Sequence, residues 1–170
     1  AQKSFIEKAA KLFPKIKYVE VDDIQTACAG SDIVVSATTA GKPLLLDIAL
    51  DKGTTVIGVS EKLTHEFIGK FDRFIVDFAE CLMERLNQSG RYAAKVAGTT
   101  YKDLSPSLAD GEIGDVIIGK TAGRLNDNEI ILSCSVGMSV EDVTVAYEAY
   151  NRAMEKGLGR TVELLDINEK

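Results

Sequence analysis

The sequence is poor in the residues and patterns that mark secreted, membrane-spanning or metal-binding proteins. Its three cysteines, Cys28, Cys81 and Cys134, lie far apart and form neither a CxxC pair nor a disulfide framework, which predicts a reducing, cytoplasmic environment. Because His65 is the one histidine, a multi-histidine metal site is excluded, and we expect no metal. No apolar run approaches the ~20 residues that cross a bilayer, and the first residues show no signal-peptide pattern.

The charge balance argues against polyanionic partners. The chain carries a net charge of -6 with a pI near 4.9, and its lysines and arginines form no cluster, so we expect neither nucleic acid nor a membrane as partner. Its 170 residues and 45% hydrophobic content suffice for one domain with a sizeable core. We therefore predict a single domain over residues 1–170.

Apolar, strand-like runs alternate with helical patterns along the chain. The strand-like runs are residues 17–21, 32–38, 54–59, 73–77 and 129–133, and the helical patterns are residues 4–12, 23–29, 44–50, 64–70, 78–89 and 140–156. Runs such as DIVVSAT and TTVIGV are continuous and rich in β-branched residues, which is typical of strands buried on both faces. The alternation predicts an α/β fold with a mostly parallel sheet and helices on both faces.

The stretch EIILSCSVGMSVEDVTVAYEAYNRAMEKGLG, residues 129–159, places small polar residues and a glycine between a predicted strand and a predicted helix. Ligands of open α/β sheets bind beyond the carboxyl ends of strands, so Ser135 and Gly137 are candidates for a ligand site. The alternative is a connecting loop without chemistry. Ser139 is the expected N-cap of the helix, with Asp142 completing a capping box.

The segment GDVIIGKT, residues 114–121, matches the P-loop pattern GxxxxGK(S/T) in its letters but not in its context. Its four variable positions are Asp-Val-Ile-Ile, a run that predicts packing rather than a flexible phosphate cradle. The residues after Lys120, TAGRLNDN, are turn-like, whereas a P-loop lysine begins a helix. We therefore predict no nucleotide-triphosphate site here, and the chain has no GxGxxG motif either.

Three blocks of sequence together resemble one known family. AGSDIVVSATTAGKPLL, DRFIVDF and GEIGDVIIGKTAGRLNDNEIILSCSVGMSVEDVTVAYEAYNRAMEKGLG follow one another in the order typical of the ornithine cyclodeaminase/mu-crystallin family. The last block is the most specific, because it combines Glu-hydrophobic-Gly-x-Val, a Gly-Arg turn, a strand, Ser-Val-Gly and a helix that opens with Val-Glu-Asp. The resemblance extends over nearly the whole chain.

The resemblance implies a Rossmann-like, doubly wound fold that binds NAD or NADP. The activity it implies is hydride transfer at the carbon–nitrogen bond of an amino acid or cyclic imine, as in an amino-acid dehydrogenase or a ketimine reductase. Two alternatives remain, an ornithine cyclodeaminase that releases ammonia and a non-catalytic, mu-crystallin-like ligand-binding protein. The family's first strands, its glycine-rich turn and the basic residues for the substrate carboxylate are expected before residue 1. We therefore expect a C-terminal fragment of a longer subunit, which forms a homodimer through sequence not included here.

The family resemblance also assigns cofactor contacts to particular residues. It implies six residues along the dinucleotide or at its nicotinamide end: Thr38, Thr39, Gly58, Val59, Ser135 and Gly137. The two threonines follow the strand DIVVSA, and the Gly58-Val59 pair offers backbone to the nicotinamide. Ser135 matches the family serine at the nicotinamide end, and Gly137 allows a close approach of the chain.

The catalytic candidates follow the predicted strand over residues 54–59. Members that are cyclodeaminases carry an aspartate soon after this strand, whereas the sequence here, GVSEKLTHEF, is two residues shorter. Lys62 occupies about the place of that aspartate, and Glu61 is the nearest carboxylate for acid–base chemistry. The resemblance thus implies Glu61 and Lys62 as catalytic residues and favours a reductase or dehydrogenase over a cyclodeaminase.

Overall fold

The computed structural model describes residues 2–38, 40, 43–59, 62–160 and 162. The chain divides into two units, Ala1–Val136 and Gly137–Lys170. The first unit contains the helices α1 (Gln2–Leu12), α2 (Ile24–Cys28), α3 (His65–Ile68), α4 (Ala79–Ala97) and α5 (Ile113–Ile117), and the strands β1 (Ile33–Ala37), β2 (Thr55–Val59), β3 (Arg73–Val76), β4 (Gly111–Glu112) and β5 (Ile131–Ser135). The second unit contains α6 (Ser139–Glu155). The single domain over residues 1–170 stays a prediction.

The first unit is built on one parallel sheet with the strand order β1-β2-β5-β3-β4. In the middle of the sheet, Val35 pairs with Ile57, Ile57 with Ser133, and Ser133 with Ile75. The predicted α/β fold with a parallel sheet is confirmed, and the predicted runs at 32–38, 54–59, 73–77 and 129–133 all contribute neighbouring strands to it. All five carboxyl ends lie at the same edge.

The core lies where the central strands meet the helices. Val56, Phe74 and Leu132 are at most 2% exposed, and Phe67 of α3 and Met83 of α4 pack into the same cluster. Burying each such side chain stabilises the fold by roughly 1.5–3 kcal/mol. Strands β3 and β5 are largely buried, as parallel strands commonly are. The expectation of burial on both faces is wrong for β1 and β2, since β1 is an edge strand and its Ile33 and Val35 are each 61% exposed.

Two predicted elements are wrong. Residues 17–21 form no strand, and Val19 is 67% exposed. A run of alternating apolar and polar residues forms a strand only where it can hydrogen-bond to a neighbouring strand. Residues 44–47 form turns and residues 48–50 no regular element, where a helix was predicted. The Lys70 ammonium group donates to the carbonyls of Leu45 (2.6 Å), Leu46 (2.8 Å) and Ile48, which a helix would need for its own amides.

Two predicted boundaries also shift. Helix α4 does not stop at Gly90 but runs to Ala97 and ends at Gly98, whose φ is 67°. A Cβ on Gly90 would lie 2.2 Å from the ring of Tyr101, so this glycine serves packing and not termination. Strand β5 ends at Ser135 instead of residue 133, which places Ser135 at the strand terminus rather than in the loop beyond it.

In the second unit, the expected N-cap at Ser139 is wrong. Helix α6 begins at Ser139 and its N-cap is Met138. The carboxylate of Glu141, not of Asp142, accepts a hydrogen bond from the Met138 backbone N–H at 3.2 Å. Gly137 has a φ of 77°, a conformation that glycine adopts without a steric cost.

The segment that matches the P-loop pattern has a different local structure. Residues 113–117 form α5, where a P-loop would need an open cradle, and Gly119 makes a turn with a φ of 75°. Lys120 follows this turn, and its Nζ pairs with the Asp115 carboxylate at 2.8 Å. The pattern therefore occurs here without the strand–loop–helix geometry that binds phosphate.

Candidate functional site

The carboxyl edge of the sheet brings together residues that the sequence had predicted as one site. Ala37 of β1 is in register with Val59 of β2, and Val59 is in register with Ser135 of β5. Neighbouring strands lie ~4.8 Å apart, and Thr38 directly follows β1. Thr38, Gly58, Val59 and Ser135 therefore line one edge, which is where open α/β sheets bind their ligands.

Of the remaining predicted site residues, only Lys62 is placed near this edge by the described part of the structure. Thr39 and Glu61 lie outside the described residues. Gly137 belongs to the second unit, which begins with it. Lys62 is described and exposed, and it follows β2 in the first unit.

A cavity of about 230 Å³ opens at the ends of β2 and β5. Its polar groups come from Lys62, Arg85, Ser89 and Ser135. Leucines from α4 and from the segment after β2 form its apolar walls, and Gly58 contributes backbone without a side chain. The cavity thus combines an apolar surface with a few polar groups, as small-molecule sites commonly do.

Helix α4 supplies one wall of the cavity through a stripe of four residues. Leu82, Arg85, Leu86 and Ser89 all line the cavity and follow the i, i+3, i+4, i+7 spacing of one helix face. The start of α4 is held by the carboxylate of Glu112, which accepts a hydrogen bond from the Ala79 N–H at 2.9 Å. The spacing therefore places the Arg85 cation and the Ser89 hydroxyl on the same cavity-lining stripe as two leucines.

The charged residues that line the cavity are all positive. Lys62 and Arg85 are cationic, and none of the described lining residues is a carboxylate. The Arg85 guanidinium donates to the Val136 carbonyl at 3.3 Å, its one hydrogen bond within the described part of the chain. This arrangement favours a ligand that carries negative charge.

Asp77 follows β3 and fixes the backbone beside Ser135. Its side chain is buried, with 6% of the residue exposed. One carboxylate oxygen accepts from the Phe78 N–H at 2.8 Å, and the other accepts from the Val136 N–H at 2.7 Å. Asp77 therefore ties the end of β5 to the end of β3 and positions Ser135.

Lys70 anchors the turn that follows the predicted dinucleotide segment. Lys70 donates to three carbonyls at residues 45–48. The side-chain amide of Gln25 holds the adjacent Ala49, because its oxygen accepts from the Ala49 N–H at 2.9 Å and its nitrogen donates to the Ala49 carbonyl at 3.0 Å. Burial lowers the pKa of Lys70, and burial likewise raises the pKa of the nearby Cys28 thiol. These contacts fix one end of the connection from β1.

Sequence reasoning missed Arg85, Ser89 and Asp77. Asp77 was detectable, because it follows a predicted strand at the edge where ligands bind. Arg85 and Ser89 share the helical stripe with Leu82 and Leu86, but a stripe alone does not tell a cavity wall from a solvated face.

Among the described residues, no group of histidine, cysteine and acidic side chains is arranged to hold a metal ion, and no helix is both long and apolar enough to span a membrane.

Comparison with known proteins places these features in a family. The family model for ornithine cyclodeaminase/mu-crystallin matches residues 1–157. The chain is 31% identical over 166 residues to a Delta(1)-pyrroline-2-carboxylate reductase of Bacillus cereus, covering 94% of this chain and 49% of that protein. It is 26% identical over 167 residues to N-((2S)-2-amino-2-carboxyethyl)-L-glutamate dehydrogenase of Staphylococcus aureus, covering 94% and 46%.

A solved structure of a related reductase is also similar to this chain. The Delta(1)-pyrroline-2-carboxylate reductase of Thermococcus litoralis, in complex with NADH and L-proline, superposes with a TM-score of 0.70 at 26% identity, covering 94% of this chain and 49% of that one. The chain thus spans about half the length of the curated relatives it matches. On the match over residues 1–157, the chain belongs to the ornithine cyclodeaminase/mu-crystallin family.

Proposed function

We propose that this chain is the cofactor-binding part of an NAD(P)-dependent oxidoreductase that acts on the carbon–nitrogen bond of an amino acid or cyclic imine. The observation that carries the proposal is the cavity at the ends of β2 and β5, which Gly58 and Ser135 line. Family membership supports it, as do the reductase of Bacillus cereus and the reductase of Thermococcus litoralis, which binds NADH and L-proline. The class is a ketimine reductase or an amino-acid dehydrogenase.

The donor set at the sheet edge fits a nicotinamide dinucleotide. The Ser135 hydroxyl can donate to or accept from a carboxamide, and the Gly58-Val59 backbone has no long side chain at its cavity end. Thr38, and with it Thr39, would contact the dinucleotide beyond β1, and the positive φ of Gly137 suits a close backbone approach. When bound, the reduced cofactor supplies a hydride to the imine carbon. The cofactor is NAD or NADP.

Lys62 and Glu61 are the proposed acid–base residues. As the imine carbon gains its new C–H bond, the π-electron pair of the C=N bond moves to nitrogen, which takes a proton. The Lys62 ammonium lines the cavity and would donate that proton, giving an amine and a neutral lysine that solvent reprotonates. Glu61, the neighbouring carboxylate, would relay protons to Lys62.

We propose a cytoplasmic homodimer as the working form of the complete protein. The resemblance to the family supports the dimer. The cytoplasm is supported by Cys28, Cys81 and Cys134, which are all free thiols in the fold. The net charge of -6 supports a small-molecule substrate over nucleic acid or an anionic membrane.

The test of the proposed cofactor site is Ser135→Ala in the complete gene product. Loss of one neutral hydrogen bond should weaken NADH or NADPH binding by about 1 kcal/mol, or roughly fivefold in Kd. Folding should be nearly unaffected, because Ser135 ends its strand and is exposed. Cofactor fluorescence titration and a denaturation curve measure the two effects.

The matched control is Ser133→Ala, which removes a hydroxyl from the same strand but two residues away from the edge. This variant should bind the cofactor like the wild type. Equal cofactor affinity in the wild type and Ser135→Ala would contradict the proposed contact and leave the end of β5 as a connection without a ligand.

A further inference from the structure

We propose that Arg85 is a positioning residue for the cofactor site. Together with Asp77, it restrains the backbone that follows Ser135, on the side of β5 where the sheet has ended. This inference rests on the proposed function, because Ser135 is the residue proposed to contact the cofactor. Arg85 acts through the Val136 backbone and not by contact with the cofactor or the substrate.

Strand β5 loses one of its two neighbours just before Ser135. Its pairing with β2 runs as far as Ser135, which is in register with Val59. Its pairing with β3 ends one residue earlier, where Cys134 is in register with Val76. On the β3 side, the backbone beyond Cys134 is therefore no longer held by the ladder of the sheet, and other bonds must restrain it.

Side chains from two elements supply bonds on that side. The Asp77 carboxylate accepts from the Val136 N–H at 2.7 Å, and the Arg85 guanidinium donates to the Val136 carbonyl at 3.3 Å. The N–H and the carbonyl belong to successive peptide units, so the peptides on both sides of Val136 are restrained. This restraint matters because Gly137 comes next, with a φ of 77°, and glycine limits backbone rotation less than any other residue.

Helix α4 gives Arg85 a fixed base. Leu82 and Met83 of this helix are buried, and the Glu112 carboxylate accepts from the first backbone N–H of the helix at 2.9 Å. The Arg85 side chain itself is exposed, so its loss should change global stability little. Its bond to Val136 should instead affect the local backbone, and through it the position of the Ser135 hydroxyl.

A positioning role makes a different prediction from a simple charge effect. The pyrophosphate of NADH is negatively charged, and a cation attracts it whether or not residue 135 has a hydroxyl group. A positioning residue acts through that hydroxyl. Removal of the Ser135 hydroxyl should therefore abolish the effect of Arg85 on cofactor binding, whereas an effect of charge alone would persist.

The experiment is a double-mutant cycle in the complete gene product. Titration of NADH fluorescence should give a Kd about threefold higher for Arg85→Met than for the wild type. In the Ser135→Ala background, Arg85→Met should leave the Kd unchanged. Arg85→Lys should recover part of the affinity, because an ammonium group can still donate to the Val136 carbonyl.

A second measurement tests the restraint without the cofactor. In the cofactor-free protein, the Val136 amide should exchange its hydrogen faster in Arg85→Met than in the wild type, as followed by NMR. The control for both measurements is Lys95→Met, which removes the same charge from an exposed position on the same helix. It should match the wild type in NADH affinity and in the exchange of the Val136 amide.

Two results of the cycle would overturn this inference while the proposed function stands. One is an equal loss of NADH affinity for Arg85→Met in both backgrounds, and the other is unchanged affinity in Arg85→Met where Ser135→Ala is weakened. Failure of the proposed function is a separate result, in which the wild type binds neither NADH nor NADPH. The exchange of the Val136 amide would then still test the restraint, and an unchanged rate in Arg85→Met would refute it.

Discussion

Asp77→Ala should lower the free energy of unfolding by about 3 kcal/mol and weaken cofactor binding about tenfold. Asp77 accepts hydrogen bonds from Phe78 and Val136 in a buried position, and each bond to a charged group is worth roughly 1.5–3 kcal/mol. Without the carboxylate, the Val136 N–H has lost a partner and the end of β5 can move. Because Ser135 precedes Val136, the variant should affect stability and the site together.

Asp72→Ala is the matched control for this prediction. Asp72 lies at the other end of β3, where its carboxylate accepts from the Ile130 N–H at 2.8 Å, just before β5. The two aspartates thus hold β5 against β3 at opposite edges of the sheet. Asp72 is exposed, so its variant should lose about 1 kcal/mol and bind the cofactor normally.

A third variant separates the carboxylate from its geometry. Asp77→Asn retains one acceptor oxygen at the same place and should lose about half as much stability as Asp77→Ala. Urea denaturation measures stability, and NADH fluorescence measures affinity. An Asp77→Ala protein that loses stability but binds the cofactor like the wild type would show that Asp77 supports the sheet without positioning Ser135.

Lys70→Met should also cost about 3 kcal/mol, by a different mechanism. The substitution keeps the length of the side chain but leaves the carbonyls of Leu45, Leu46 and Ile48 without their ammonium donor. A partly buried polar group without a partner costs about 1–3 kcal/mol, and methionine recovers some apolar burial. Urea denaturation gives the total, and hydrogen exchange should show faster exchange of the amides at residues 45–50.

Lys52→Met is the control, because Lys52 is exposed on the turn before β2. It should change the free energy of unfolding by no more than about 0.5 kcal/mol. If Lys70→Met and Lys52→Met unfold at the same urea concentration, the three carbonyl contacts contribute nothing to stability, and another interaction must hold residues 44–50 away from the helical conformation.

The sheet was predictable because its signal is local. The strands at residues 33–37, 55–59 and 73–76 are short runs rich in β-branched and aromatic residues, which favour the strand conformation. The same runs do not predict burial, because one face of β1 and β2 is exposed. Strand β4 was not predictable, since it has two residues and depends on β3 for its existence.

The errors arose where a distant residue decides a local conformation. Residues 44–50 carry an apolar helical pattern, but the ammonium group of Lys70 binds their carbonyls across more than 20 positions of sequence. Gly90 resembles a helix stop in sequence, yet it makes room for the ring of Tyr101. In both cases the deciding residue, Lys70 or Tyr101, lies outside the segment whose conformation it determines.

The candidate site was only partly predictable, because some of its residues are placed by local signals and others by packing between distant parts of the chain. Val59 and Ser135 end neighbouring strands, and the carboxyl edge of a parallel sheet is a general binding position. Arg85 was missed because its place in the cavity depends on how α4 rotates about its axis. That rotation is fixed by packing, chiefly of Leu82 and Met83, and not by a local motif.

The most direct test of the account measures where the cofactor binds. Hydrogen exchange of the complete gene product, with and without saturating NADH or NADPH, should show slower exchange in peptides covering residues 56–64 and 131–136, at the carboxyl edge of β2 and β5. Peptides covering residues 49–54 and 124–129, at the opposite edge, should exchange equally in both samples. Protection at the opposite edge, or none at residues 56–64 and 131–136 under saturation, would contradict the assignment of this edge as the cofactor site.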